Sequence, residues 1–337
     1  MNKTAIILIN LGTPDSYSTK DIRKYLKEFL SDSKVIDIPT IFRFLLLNFI
    51  ILPFRPSKVA PSYKEIWTEF GPPLLVYSNK LIEKLKNKLN DENYIFQIAM
   101  RYGNPSIDLA LDNIKKINPK CIKIIPLFPQ YSTATTLSIY DKIIKIISNW
   151  NLIPDIKFKS FFYNDDNYIN SISFIGKKYL EKEYDYILFS FHGLPERHII
   201  KSDMFNYCSF NDCCKEINEK NYFCYRAQCY QTAYKIADNL NLDKNKYSIT
   251  FQSRLGKTPW IKPYTDETIR KLAKQGKKNI LVFCPSFVTD CLETIFEIEI
   301  EYNNLFKSLG GNKIELVKSL NDEDFWVENL LKIIKSF

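Results

Sequence analysis

The stretch YIFQIAMRYG, residues 94–103, returns at 247–256 as YSITFQSRLG. Both open on tyrosine, run through apolar residues, and place an arginine, Arg101 or Arg254, two positions before a closing glycine. Two further pairs recur around them. AIILINL (5–11) and YILFSF (186–191) are short apolar runs leading to Gly12 and Gly193, and KCIKIIPLFP (120–129) matches KNILVFCPSF (278–287). Short, nearly continuous apolar runs read as strands buried on both faces of a parallel sheet. Between them, Lys20–Leu30, Ser106–Ile117 and Asp266–Lys274 carry apolar residues at helical spacing. The alternation predicts an α/β fold of two similar halves, each a parallel sheet flanked by helices, with the active-site cleft between them. Residues 1–155 are expected to form the first half and 156–320 the second, with a cysteine-rich insertion at 205–230. The segment 321–337, including the helical pattern Asp322–Ile334, is expected to pack back on the first half.

Composition narrows the function. The formal charge is +9, but 39 of the 47 basic residues are lysine, and Ile, Asn and Tyr are also plentiful, so compositional drift accounts for much of it. No basic stretch interleaves with aromatics in a recognisable module, which excludes nucleic acid as a partner. Attraction to an anionic ligand or membrane surface fits better. The longest apolar stretch, IFRFLLLNFIILPF (41–54), is broken by Arg43 and Asn48 and is too short for an ordinary membrane span. A core helix and an exposed lip touching a membrane surface both fit it. AIILINL is too short for a secretory signal and no small-residue cleavage site follows it. A cytoplasmic location is therefore expected, with peripheral contact at the inner face of the membrane. Eight cysteines in that setting point to thiols or metal rather than disulfides. The glycine-rich dinucleotide fingerprint, the phosphate loop and the Gly-x-Ser-x-Gly elbow are absent.

SFHGLPERH (190–198) contains both histidines. A histidine satisfied inside a loop is one reading; a metal ligand or proton acceptor at a cleft mouth is the other. DCLETIFEIEIE (290–301) places Asp290, Glu293, Glu297 and Glu301 at steps of three, four and four, one stripe of an α-helix. A solvated surface helix tolerates such a stripe. Apolar neighbours, Ile295, Phe296, Ile298 and Ile300, suggest instead a conduit for cations or protons whose carboxylate pKa values rise on burial. His192 and Glu293 are then candidate metal ligands and proton acceptors at strand and helix ends. Two ligands suit an ion that must be passed on.

The motifs INLGTPDS (9–16), MRYGNPS (100–106), PLFPQYSTATT (126–136), SFHGLPERH, QSRLGKTPWIKPYTDE (252–267) and CLETIFEIEIEY (291–302) together resemble the ferrochelatases, end to end. The resemblance implies two Rossmann-like halves holding a porphyrin, into which ferrous iron is inserted as a substrate with loss of two pyrrole protons. It implies that His192 and Glu293 flank the macrocycle and that Asp290, Glu297 and Glu301 form a carboxylate path. Tyr102, Tyr131 and Trp260 are expected to pack on the porphyrin, with ordinary core aromatics as the alternative. Arg101 and Arg254 would each pair with a propionate or with an internal carboxylate. Asp15 in TPDS, where coproporphyrin-acting members often carry tyrosine, favours protoporphyrin IX over coproporphyrin III. A cobalt or nickel tetrapyrrole chelatase is the rival enzyme.

Five cysteines lie between 208 and 229, with no Cys-x-x-Cys pair, which disfavours a zinc knuckle. Four thiolates can hold a [2Fe–2S] cluster. A subset of ferrochelatases is similar in carrying such a cluster on an internal segment, which implies Cys208, Cys213, Cys214 and Cys224 as ligands, leaving Cys229 outside. A reduced thiol-rich loop is the alternative.

Overall fold

The first strand, β1 (Thr4–Thr13), is buried on both faces from Ala5 to Asn10, as a central parallel strand requires. The computed structural model describes residues 3–256 and 258–337. Met1 and Asn2 of the first half, and Lys257 inside the 252–267 motif, lie outside the described residues. β1 pairs in parallel with β2 (Tyr94–Gly103) and with β3 (Cys121–Pro126), which in turn pairs with β4 (Asp155–Phe158), giving the order β2-β1-β3-β4. The second sheet repeats this plan. β5 (Tyr186–His192) lies between β6 (Tyr247–Gln252) and β7 (Asn279–Phe283), and β8 (Lys313–Leu316) closes the order β6-β5-β7-β8. The three recurring sequence pairs thus occupy equivalent strands.

The helices start where local chemistry permits. Ser106 caps the helix Ile107–Ile117, its Oγ accepting from Leu109 N at 3.2 Å, and Asn118 ends it in the left-handed region at φ 50°. The apolar face of that helix, Ile107, Leu111 and Ile114, packs on Ala5, Ile7 and Ile9 of β1. Full burial of each such side chain contributes about 1.5–3 kcal/mol. In the second sheet Leu188, Ile280 and Val282 pack against Ile269, Ile298 and Phe306.

The chain divides into two units. One comprises the described residues to Phe128, Ser132–Phe161 and Asp322–Phe337; the other comprises Pro129–Tyr131 and Phe162–Asn321. The first unit runs past the expected division at 155, because β4 continues its sheet to Phe158. The helix Asp324–Lys335 joins the first unit through Lys84–Asp324 and Lys88–Glu328 ion pairs of 2.9 and 2.6 Å. All eight cysteines are free thiols.

The 41–54 stretch is exposed. Ile41, Phe42, Phe49 and Phe54 are each more than 60% accessible, and Leu47 alone among the apolar side chains from 41 to 51 is buried. It also belongs to a longer helical run, Thr40–Ile66, including a π-helical segment Leu46–Ile51. By length and composition alone, this longer helix is the one among the described residues that could cross a membrane, although the apolar stretch 41–54 within it is shorter than a span.

Candidate active site

In the second unit, the ends of β5 and β6 and the segment after β7 come together. His192 closes β5 opposite Gln252 of β6. Its backbone N–H donates to Ser286 Oγ at 3.1 Å and its carbonyl accepts from the Tyr225 hydroxyl at 2.7 Å. The ring Nδ1 lies 2.6 Å from Gly193 O. A carbonyl only accepts, so Nδ1 carries the proton, and in the neutral ring Nε2 keeps its lone pair. Trp260 and Phe287 flank the imidazole at centroid distances of 6.5 and 6.3 Å. Gly193 is required here by close approach: a Cβ would stand 2.8 Å from Gln252 O and 3.2 Å from the Trp260 ring.

The acids after β7 lie on a π-helix, Leu292–Tyr302, rather than on the α-helix expected from their spacing. Its i→i+5 turns are wider and are frequent at functional sites. Glu297 therefore meets Tyr302, five residues on, whose hydroxyl donates to Oε1 at 2.9 Å. Glu297 also accepts from Ser253 N at 2.8 Å, from Gln252 Nε2 at 3.1 Å and from Ser253 Oγ. Gln252 is the hinge of the arrangement. Its Nε2 also donates to Glu293 O at 2.9 Å, while its Oε1 accepts from Ser190 Oγ at 2.7 Å. One side chain thus joins the strand neighbouring His192 to both glutamates. The Cys291 thiol, held protonated by burial and by the Glu293 charge, bonds the Glu293 side chain.

Asp290 does not stand on the stripe. It precedes the π-helix, is buried, and accepts from Asn321 Nδ2, Thr294 Oγ1 and Ser319 N at 2.8, 3.0 and 3.2 Å. Partial burial, then the neighbouring Glu297 charge, raises the pKa of Glu301; burial, then Asp290, raises that of Glu299. Tyr131 is half-buried in the same unit, its N–H donating to Gln228 Oε1 at 2.7 Å and its ring set edge-on to Phe223.

For Tyr102 and Arg101 the structure shows the alternative partners named above, a core position and an internal carboxylate. Tyr102 is fully buried in the first unit, and its hydroxyl donates to Asp32 Oδ2 at 2.9 Å. Arg101 binds the same oxygen at 2.5 Å and also Ser138 Oγ at 2.7 Å, so it serves an internal carboxylate. Burial opposes ionisation of Asp32, yet hydrogen bonds from Ser138 and Lys34 N and the Arg101 charge hold its pKa below the ordinary range. Arg254 pairs with Asp266 and Glu267 at 2.9 and 3.0 Å on an exposed surface.

The four cysteines expected as ligands touch one another in series. Cys213 and Cys214 sulfurs lie 3.8 Å apart, Cys214 bonds Cys224, and Cys208 bonds Cys213. Burial pushes the Cys208 thiol up to about 11. Among the described residues, no group of three or more His, Cys, Asp and Glu side chains is arranged to hold a metal ion.

Gln252, Ser253, Tyr225 and Asp32 are not singled out by the sequence: Gln252 and Ser253 lie inside the 252–267 motif, Ser286 inside the 278–287 run, and Tyr225 and Asp32 carry no signal beyond their place in the chain.

Among solved structures, SirB from Bacillus subtilis with Fe3+ matches at a TM-score of 0.55 and 11% identity, covering 99% of this chain and 94% of that one, a likeness of fold alone. A sirohydrochlorin chelatase SirB from Bacillus subtilis subspecies spizizenii, in complex with cobalt, matches equally at 0.55. By sequence, a ferrochelatase of Legionella pneumophila (strain Lens) is 46% identical over 332 residues, 98% of either chain. A ferrochelatase of Coxiella burnetii (strain Dugway 5J108-111) is 43% identical over 336 residues, 99% of this chain and 94% of that one. The ferrochelatase family model matches residues 3–337. The chain therefore belongs to the ferrochelatase family, metal-chelating lyases of haem biosynthesis for which ferrous iron is a substrate.

Proposed function

We propose that the enzyme inserts ferrous iron into protoporphyrin IX, with the reacting face of the macrocycle presented to His192 and Glu293. One observation carries the reading: the Nδ1–H of His192 is committed to Gly193 O, which leaves the Nε2 lone pair of a ring that lies 6.5 Å from the Trp260 ring. Nε2 accepts the two pyrrole protons in turn, as two N–H bonds break and the nitrogen pairs bind the metal; each proton passes on to solvent. Glu293 receives the iron, and Glu297 and Glu301 form the acidic path behind it, with Asp290 fixing the start of that path. Trp260 and Tyr131 contribute apolar surface to the substrate. Protoporphyrin, with two propionates and two vinyl groups, suits exposed apolar residues better than the four propionates of coproporphyrin. An anaerobic assay offering both porphyrins with ferrous iron tests this. His192→Ala is expected to lower turnover at least about 10³-fold, on the order of 4 kcal/mol of barrier, with porphyrin binding retained. Turnover retained in that variant, or preference for coproporphyrin, overturns the respective part.

The exposed side chains of 41–54 support peripheral contact with the inner face of the membrane, where an apolar porphyrin partitions, and a cytoplasmic catalytic body. Replacing Phe42, Phe49 and Phe54 by serine should abolish flotation with anionic vesicles; unchanged flotation ends the proposal. Cys208, Cys213, Cys214 and Cys224 would hold a [2Fe–2S] cluster of structural use; their serial contacts favour it, although the thiols are not arranged around a common centre here. Aerobic and anaerobic preparations that both lack visible cluster absorption would exclude it.

A further inference from the structure

The two hydrogen bonds that hold the His192 backbone come from residues with no part in the chemistry above. Tyr225 is the first residue of the helix Tyr225–Asn239, directly after Cys224, the last of the four segment cysteines. Its ring is 7% exposed, and its hydroxyl faces a carbonyl, which can only accept. It donates to His192 O at 2.7 Å. From the other side, His192 N–H donates to Ser286 Oγ at 3.1 Å, and Ser286 also bonds the Tyr225 hydroxyl. Ser286 is itself anchored, because the preceding carbonyl, Pro285 O, accepts from the Tyr168 hydroxyl. Tyr225 and Ser286 thus hold both sides of residue 192.

The consequence reaches the imidazole. Tyr225 holds the carbonyl of the peptide that joins His192 to Gly193. The next carbonyl, Gly193 O, is the acceptor that fixes the ring proton on Nδ1. If the 192–193 peptide plane rotates, Gly193 O leaves Nδ1, and the ring is free to place its proton on either nitrogen. Gly193 N–H donating to Gln252 O at 2.8 Å resists that rotation from the strand side only.

We infer that Tyr225 is a positioning residue for His192: it fixes the 192–193 peptide, as Ser286 fixes the 191–192 peptide, and so keeps Nε2 available, tying the end of the cysteine segment to the reactive imidazole. This rests on the reading of His192 as proton acceptor. Tyr225→Phe removes one oxygen and leaves the buried ring in place. In the full-length enzyme it should lower kcat roughly tenfold, the effect of one lost hydrogen bond, with KM for porphyrin unchanged. Only two histidines are present, so nitrogen-15 labelling of histidine reads the ring directly. Tyr225→Phe should shift or broaden the His192 Nδ1–H signal and leave that of His198 in place. Ser286→Ala should act in the same direction, and Ser286→Thr, which keeps the hydroxyl, should restore both kcat and the signal. A kcat within twofold of wild type, or a fall in kcat with an unmoved His192 signal, overturns the inference. Full turnover in His192→Ala would instead remove the reading on which it rests.

Discussion

The two units share one strand plan yet use their strand-end charges in opposite ways. In each, the third strand leads to a π-helical segment, Thr133–Leu137 in the first and Leu292–Tyr302 in the second. In the first unit Arg101, Tyr102 and Ser138 converge on a single carboxylate oxygen of Asp32, and the charges cancel internally. In the second, acids crowd one helix: Glu297 alone accepts from four donors, and the His192 ring commits its Nδ1 to a carbonyl. The repeated backbone supplies equivalent positions. The side chains decide whether a position stabilises the unit or serves a substrate.

That contrast is most easily broken at Arg101. Both partners of its ion pair are nearly buried, with side-chain exposures of 12% and 9%. Arg101→Ala leaves the Asp32 carboxylate without its charge partner and should cost about 3–5 kcal/mol, measured by urea unfolding. The cost should shrink in acid. The folded pKa of Asp32 is depressed, so its contribution is present above the unfolded value and is lost as pH falls through the folded one. The difference between wild type and variant should therefore narrow below about pH 4. A near-neutral unfolding effect with a raised porphyrin KM would return Arg101 to the role of propionate ligand. Arg254, its counterpart in the repeat, sharpens the comparison. It is itself exposed and pairs with exposed Glu267 and half-buried Asp266, so Arg254→Ala should cost under about 1 kcal/mol and lose even that in high salt. A cost equal to that of Arg101→Ala would show that the two units use this position alike.

The difference between those arginines marks what the sequence could convey. The strand runs from Ala5, Tyr94, Tyr186 and Tyr247 were legible because burial on two faces demands continuous apolar residues, and the equivalent register followed from their order. His192 was legible because only two histidines exist, one of them at a strand end. Asp32 was not, because its partners are 69 to 106 residues away along the chain and nothing local distinguishes it from a surface aspartate. The π-helix was hidden for a related reason. Residues spaced by three and four match an α-helix, and the donors that favour wider turns, Ser253, Gln252 and Tyr302, meet Glu297 only after folding.

The smallest effect tests whether the acidic stripe is held against its own repulsion. Glu297 and Glu301 are four residues apart, and the charge of Glu297 adds to partial burial in raising the Glu301 pKa. A carboxyl whose folded pKa lies above its unfolded value disfavours folding when ionised. Glu301→Gln should therefore stabilise the enzyme, by a few tenths of a kcal/mol given the exposure of the residue. The gain should be complete at neutral pH, above the raised folded pKa, and should vanish as pH falls below the ordinary glutamate value of about 4.3. Paired urea titrations at neutral and acid pH read it. A gain at neutral pH together with slower iron insertion is the signature of a charge kept for the substrate at the expense of stability, the reverse of what Asp32 and Arg101 do in the first unit. A loss of stability at neutral pH would show instead that Glu301 is a structural acid, and the contrast between the two units would end at Glu297.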